Sequence, residues 1–362
     1  MRLALLAVQF PSLPPTARRL RGDDTGKWRS RLTEFAKIGI AGAGAWGIAL
    51  ANVAASAGRR VVLWGRDDAE MLALARRREN PRRLPNVFLA ESVKATSDIV
   101  DLADCKAALI VVPAQATRAV AGEVTEILPP ECPLVACAKG VEQGEDLFMT
   151  QVLKAAAPNH PAAILSGPSF AADVAAGLPT AVTLAASDEN LAEALAAALQ
   201  SASFRLYHSA DVIGVEIGGA AKNVLAIASG VAAGLNLGAS AGAALIARGF
   251  AELSRLGAAL GAKPATLAGL SGLGDLVLTC TSPQSRNFAF GLALGRGAAV
   301  SQALATSKLA EGVYTAGALI EIAKAHGVDM PIAASVEALL KGAIDPRAAV
   351  RALLARPPRA EV

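Results

Sequence analysis

The segment Lys37-Ile38-Gly39-Ile40-Ala41-Gly42-Ala43-Gly44-Ala45-Trp46-Gly47 constrains the fold of this chain more than any other. An apolar run ends in a Gly-x-Gly-x-x-Gly string, and an alanine-rich stretch suited to a helix follows at once. In a chain with 33 glycines the string alone is a weak signal. Between a strand and a helix it describes a turn that seats a dinucleotide diphosphate. Gly42 allows the tight turn, Gly44 lets the backbone approach the diphosphate, and Gly47 brings the helix close to the strand. The helix N-terminus offers unpaired N–H groups to the anion. The next apolar run, Val61-Val62-Leu63-Trp64, falls where a second strand is due.

From Lys37 onward, short apolar runs alternate with longer helical patterns, which predicts a Rossmann-type doubly wound parallel sheet. Strands are expected over 37–41, 60–64, 107–112, 134–137, 162–165, 181–185 and 204–207, and helices over 46–57, 69–78, 116–127, 147–156 and 190–200. Beyond Asp211 the alternation stops and helical stretches with glycine-rich joints follow. The expected organisation is a basic, disordered extension at 1–36, a dinucleotide-binding domain at 37–211 and an all-helical substrate-binding and catalytic domain at 212–356. Hydrophobic residues make up 53% of the chain and aromatics only 4%, so the core must be built from closely packed Ala, Leu, Val and Ile.

The formal charge of +4 is misleading as a hint of nucleic-acid binding. The first 37 residues carry eight bases against three acids, so the remaining chain sums to about −1. A nearly neutral body with few aromatics lacks the basic stripe and stacking platform of a nucleic-acid binder. The four cysteines form no C-x-x-C pair and the three histidines lie far apart, which points away from a metal site and toward a reduced, cytoplasmic protein. The apolar opening Leu3–Val8 is too short for a signal sequence. The uncharged run Val224–Ala247 has the length of a membrane span but contains Gly234, Asn236 and Gly238, so two buried helices joined by a loop are expected there rather than an integral membrane segment.

The end of the second strand selects between nicotinamide cofactors, because an acid there pairs with ribose hydroxyls and a base accepts a 2′-phosphate. The chain reads Trp64-Gly65-Arg66-Asp67, and Arg66 favours NADP(H) over NAD(H), with a solvated Arg66 and a helix-capping Asp67 as the structural alternative. Hydride transfer to a carbonyl also needs a proton donor. Lys222 stands in the apolar segment Ile217–Ala228, where burial would lower its pKa from about 10.4 and make it a workable acid and base. The plainer reading is a lysine that reaches out to water.

Several blocks together resemble bacterial NAD(P)-dependent glycerol-3-phosphate dehydrogenase. They run in order from the glycine turn through Val111-Val112-Pro113-Ala114-Gln115, Ala138-Lys139-Gly140, Ser166-Gly167-Pro168-Ser169-Phe170-Ala171, Gly214-Val215-Glu216-Ile217 with Lys222-Asn223, Gly272-Leu273-Gly274-Asp275-Leu276, Ser285-Arg286-Asn287 and Ala310-Glu311-Gly312. The resemblance implies reversible reduction of dihydroxyacetone phosphate, a phosphorylated small molecule, to sn-glycerol 3-phosphate, the backbone precursor of phospholipids. It implies that Lys222 is the catalytic proton donor and acceptor. Lys139, Gly167, Ser169, Asp275, Ser285, Arg286 and Asn287 join Lys222 in the substrate set. The implied cofactor set is Gly42, Gly44, Ala45, Trp46, Gly47, Arg66, Lys139, Ala171, Arg286, Leu309 and Glu311.

Each role has a structural alternative: Asp275 could cap a helix, and Gly167-Pro168 could be a plain turn. Departures from the family pattern are Ile48 for a threonine, Arg83 for an aromatic, and Ser240, Gly242 and Ala247 before Arg248-Gly249; they bear on cofactor affinity and the shape of the nicotinamide pocket. Other functions kept open are a related two-domain hydroxyacid or ketopantoate-type dehydrogenase and a non-catalytic dinucleotide sensor. A homodimer is a further expectation.

Overall fold

The computed structural model describes residues 35–306 and 310–356. Most of the expected basic extension therefore lies outside the described residues; Phe35, at its end, is 3% exposed and packs into the core. The sheet strands are β1 (Lys37–Ala41), β2 (Arg60–Trp64), β5 (Val93–Thr96), β6 (Ala107–Ile110), β7 (Leu134–Ala136), β8 (Ala162–Ser166), β9 (Thr180–Ala186) and β10 (Phe204–Ser209), the central β6, β7 and β8 being buried on both faces, while β3 (Glu79–Asn80) and β4 (Leu84–Phe88) make a separate antiparallel ribbon. The eight-stranded sheet runs β10-β9-β8-β7-β6-β1-β2-β5. Chain order reverses between β1 and β6, where open α/β sheets leave a ligand crevice at the strand C-termini.

The helices of the first half are α1 (Ala45–Ser56), α2 (Asp68–Arg77), α3 (Thr117–Thr125), α4 (Met149–Ala156), α5 (Ala171–Ala175) and α6 (Glu189–Leu199). Apart from α5, which was not expected, they fall within a few residues of expectation. The sheet is not wholly parallel, however: β9 runs antiparallel to β8, with Ala163 opposite Ala186, while β10 runs parallel to β9. The connection explains this. A parallel return needs a helix long enough to travel back along the strand. The five residues of α5 span only about 7 Å at 1.5 Å per residue. The edge strand β5 and the β3–β4 ribbon were not legible in the sequence, because Val93-Lys94-Ala95-Thr96 carries only one fully buried side chain.

After Asp211 the described chain is helical: α7 (Val212–Gly234), α8 (Ala239–Ala259), α9 (Pro264–Leu267), a π-helical turn at Leu270–Gly274, α10 (Asp275–Thr281), α11 (Arg286–Gly295), α12 (Val300–Thr306), α13 (Glu311–Ala325), α14 (Pro331–Leu340) and α15 (Pro346–Leu354). The uncharged run breaks as expected between Gly234 and Ala239. α7 is long and apolar enough to cross a membrane, yet 83% of its apolar window is buried inside the molecule, where α8, α10, α11 and α13 surround it. Asp211 caps it by accepting from Gly214 N at 3.0 Å.

Small residues set how closely α7 packs. A Cβ on Gly230 would lie 2.1 Å from Phe288 O, and one on Gly291 would lie 2.1 Å from Ile227 O, so α7 and α11 cross backbone against backbone. At its other end, a Cβ on Gly219 would meet Ser166 Oγ at 2.7 Å. The long helix is thereby pressed onto the end of β8, which carries Lys222 to the mouth of the sheet. Glu216 strengthens this join: its carboxylate accepts from Thr150 N at 2.7 Å and Thr150 Oγ1 at 2.9 Å at the start of α4. Burial pushes that carboxyl up to about 7 against those two hydrogen bonds.

Candidate active site

The glycine turn has the shape of a diphosphate cradle. Gly42 sits at φ +123°, and a Cβ there would lie 2.2 Å from Val111 O. A Cβ on Gly47 would lie 1.8 Å from Gly42 O, so only glycine allows α1 to start this close to β1. Gly44 behaves oppositely: nothing lies within 4 Å of its Cβ position, so that face opens into space. No side chain caps the N-terminus of α1 at Gly44, and its first-turn N–H groups remain for an anion.

That turn forms one end of a cleft of about 650 Å³, a volume suited to a small-molecule cofactor with its substrate. Ala45, Trp46, Gly44 and Gly47 line one part; Ser169 and Ala171 follow β8; Lys139 follows β7; Lys222, Asp275, Ser285, Arg286, Asn287 and Glu311 come from the helical half. A second cavity of about 580 Å³, beside Ser229, Ile246 and Cys280, has no charged side chain in its wall and offers no comparable chemistry.

At the centre of the cleft three charged groups meet. Lys222 Nζ donates to Asp275 Oδ1 at 2.7 Å and to Thr279 Oγ1 at 3.0 Å. Lys139 Nζ donates to Asp275 Oδ2 at 2.8 Å and to Gly167 O at 2.7 Å. Asp275 is 1% exposed and is the first residue of α10, so its carboxylate spans two ammoniums instead of capping the helix. Each ammonium has three donors and uses two, leaving one on each lysine without a partner among the described residues.

Burial pushes the Lys222 ammonium down to about 8; neighbouring Lys139 acts in the same direction and Asp275 opposes them. Burial also works against the Asp275 carboxylate, but Lys139 and Lys222 more than reverse this and hold it below the usual carboxylate range. Glu311, the first residue of α13, accepts from Ala114 N at 3.3 Å; burial raises its carboxyl above the usual range while Arg286 and the Ala114 N–H oppose that shift.

A hydrogen-bonded chain ties the two halves around this centre. Asn223 Nδ2 donates to Lys139 O at 2.8 Å, Asn287 Nδ2 donates to Asn223 Oδ1 at 2.9 Å, and Gly312 N donates to Asn287 Oδ1 at 2.9 Å. Asn287 is thus largely engaged by protein, with one amide N–H left, whereas Arg286 beside it is exposed in the cleft. Ser285 caps α11, accepting from Phe288 N at 3.2 Å. Ser169 Oγ donates to Gly167 O at 3.0 Å.

Among the described residues, three of the expected ones are not in the cleft wall: Gly42, Gly167 and Arg66. Arg66 is exposed after β2 and is not among the lining residues, while Asp67 caps α2 by accepting from Glu70 N at 2.8 Å. Leu309 lies outside the described residues. The structure adds Asn223, Thr279 and Arg82, which were not expected in the site, and puts Arg83, expected only to bear on cofactor affinity and pocket shape, in the cleft wall. Thr279 carried a faint signal, one helical turn after Asp275.

Comparison with known proteins follows the same division of the chain. Residues 37–192 match the family described as NAD-dependent glycerol-3-phosphate dehydrogenase N-terminus, and residues 211–351 match its C-terminus. Over 330 residues the chain is 61% identical to glycerol-3-phosphate dehydrogenase (NAD(P)+) of Azorhizobium caulinodans, covering 91% of this chain and 100% of that protein. It is 59% identical over 327 residues to the protein of the same name from a Bradyrhizobium species, covering 90% of this chain and 98% of the relative. The crystal structure of glycerol-3-phosphate dehydrogenase from Coxiella burnetii superposes with a TM-score of 0.84 at 40% identity, over 89% of this chain and 100% of that one. This chain belongs to the NAD-dependent glycerol-3-phosphate dehydrogenase family.

Proposed function

We propose that the chain catalyses the reversible NAD(P)H-dependent reduction of dihydroxyacetone phosphate to sn-glycerol 3-phosphate in the cytoplasm, as a homodimer, supplying the backbone of glycerophospholipids. Residues 37–211 bind the dinucleotide, and residues 212–356 bring the substrate-binding groups and the proton donor. The observation that carries this reading is the buried Lys222, joined through Asp275 to Lys139, in a cleft that also contains the glycine cradle and Arg286.

A nicotinamide dinucleotide seated on the cradle supplies the hydride. Lys222 gives its proton to the substrate carbonyl oxygen during reduction and takes it back during oxidation. An ammonium lowered to about 8 is well matched to both directions near neutral pH. Lys139 presents a second positive charge to the developing alkoxide, and Asp275 holds both lysines in place without itself needing to titrate. Arg286 and the remaining amide N–H of Asn287 bind the substrate phosphate, where a guanidinium offers charge-assisted, two-pronged contacts.

Loss of the NADPH absorbance band on mixing purified protein with NADPH and dihydroxyacetone phosphate is the expected result. Cofactor binding without any such loss would leave a dinucleotide sensor instead of a dehydrogenase. Turnover of a branched 2-keto acid in place of dihydroxyacetone phosphate would favour the ketopantoate-type reading.

A further inference from the structure

The corner of the β3–β4 ribbon places two guanidiniums in the cleft wall with Gly44, Ala45, Trp46 and Gly47. The ribbon cannot drift from this position easily. Asn52, on α1, donates through Nδ2 to Phe88 O at 2.8 Å and accepts from Ala90 N at 2.9 Å, so the ribbon is tied to the helix whose first turn is the diphosphate cradle. From the other side, Glu70 on α2 accepts from Arg83 Nε at 2.8 Å, Arg83 Nη2 at 3.2 Å and Asn80 Nδ2 at 2.7 Å. Those contacts use one edge of the Arg83 guanidinium and leave its Nη1 amino group without a partner among the described residues. Arg82 has no hydrogen bond or ion pair among the described residues.

Charge in the cleft divides in a way that assigns these groups. Of the lining cations, Lys139 and Lys222 share the Asp275 carboxylate, and Arg286 lies on the helical side, near Glu311. Arg82 and Arg83 come instead from the ribbon, whose far end Asn52 ties to α1, the helix that the glycine turn opens. The two phosphate-bearing ligands of the proposed reaction would thus each meet their own guanidinium source. We infer that the ribbon is a strap over the dinucleotide: Arg82 and the free edge of Arg83 bind its diphosphate from the side opposite the α1 N-terminus, and Glu70 with Asn80 positions Arg83. The inference rests on the dinucleotide reading of the glycine turn. The diphosphate is common to NADH and NADPH, so the strap strengthens binding of both without choosing between them.

Direct titration of nicotinamide fluorescence tests this on the full chain. Arg82→Ala, at an exposed position whose loss leaves the melting temperature unchanged, is expected to raise Kd for NADPH and NADH by a similar factor, about 3- to 10-fold. Arg83→Ala is expected to do the same, with Arg83→Lys recovering part of the loss. In both alanine variants the salt dependence of Kd should become shallower, while KM for dihydroxyacetone phosphate at saturating cofactor stays within about twofold. Unchanged dinucleotide Kd values in Arg82→Ala and Arg83→Ala would overturn the strap while leaving the parent reading intact. Weakening of NADPH alone would overturn it in favour of a 2′-phosphate contact, and a rise confined to the substrate KM would overturn it in favour of a substrate contact. If the unaltered protein binds neither dinucleotide, the reading of the glycine turn falls with it.

Discussion

Lys139 and Lys222 hold opposite oxygens of the Asp275 carboxylate, at 2.8 and 2.7 Å. One lysine follows a strand of the sheet and the other lies within the core helix of the helical half, so the carboxylate joins the two halves at the point where chemistry is proposed. Two ammoniums on one carboxylate leave the cluster with net positive charge. That charge favours an oxyanion nearby and makes loss of a proton from Lys222 easier.

Replacing Lys222 with alanine removes the proposed proton donor but touches none of the glycine cradle. Turnover in both directions should fall by about 10³-fold or more, while Kd for NADPH changes by less than about twofold. Steady-state kinetics paired with a cofactor titration check this. Retained turnover would refute the assignment.

The pH profile should carry the mark of the same group. Oxidation of glycerol 3-phosphate needs Lys222 neutral, so kcat should rise with pH through about 8; reduction of dihydroxyacetone phosphate needs it protonated and should decline over the same range. In Asp275→Asn the compensating anion is gone, so the protonated lysine is less favoured. The rising limb of the oxidation profile should move to lower pH, with kcat down by about 100-fold. Leaving buried Lys222 unpaired should also destabilise the fold by about 3 kcal/mol, read by chemical denaturation.

For Arg286→Ala the expected outcome is a KM for dihydroxyacetone phosphate raised by about 10-fold or more, with a smaller change in kcat, because the lost contact acts on substrate ground state and transition state alike. A nearly unchanged KM would remove Arg286 from the phosphate site.

Cofactor selection is a separate question. If Arg66 meets the 2′-phosphate, Arg66→Asp should lower the ratio of kcat/KM for NADPH over NADH by about 10-fold or more. An unchanged ratio would clear Arg66 of that role, in keeping with its position outside the cleft wall.

Stability should depend on pH through Glu216. Its folded pKa, about 7, lies above the ordinary 4.5. The stability tied to its neutral form is therefore fully present below about 4.5 and is lost as pH rises through about 7. The melting temperature should fall by a few degrees between pH 5 and 8 from this group, and Glu216→Gln should flatten that slope. Equal slopes in the two proteins would show that the carboxyl stays ionised in the fold.

Much of this is legible in the sequence, because the relevant physics is local. Strand, turn and helix around Gly42–Gly47 follow from neighbours in the chain, and so does the break between Gly234 and Ala239. Lys222 stands out in sequence because one charge in an apolar helix demands compensation, although the sequence does not name the partner. Arg286 and Asn287 are adjacent in sequence, yet the fold separates their situations: Arg286 is exposed in the cleft, whereas Asn287 is drawn into a chain of hydrogen bonds with Asn223 and Gly312.

The long-range relationships required the folded chain. Asp275 lies 136 positions from Lys139 and 53 from Lys222, and no local pattern couples residues so far apart. The antiparallel turn into β9 depended on α5 being too short for a parallel return, and the ribbon that carries Arg82 and Arg83 to the glycine turn depended on Asn52 and Glu70 holding it there. Periodicity reports which face of an element is buried. Which charges then share a cavity is set by the packing of those faces, down to the glycines that let α7 meet α11 and carry Lys222 against the end of the sheet.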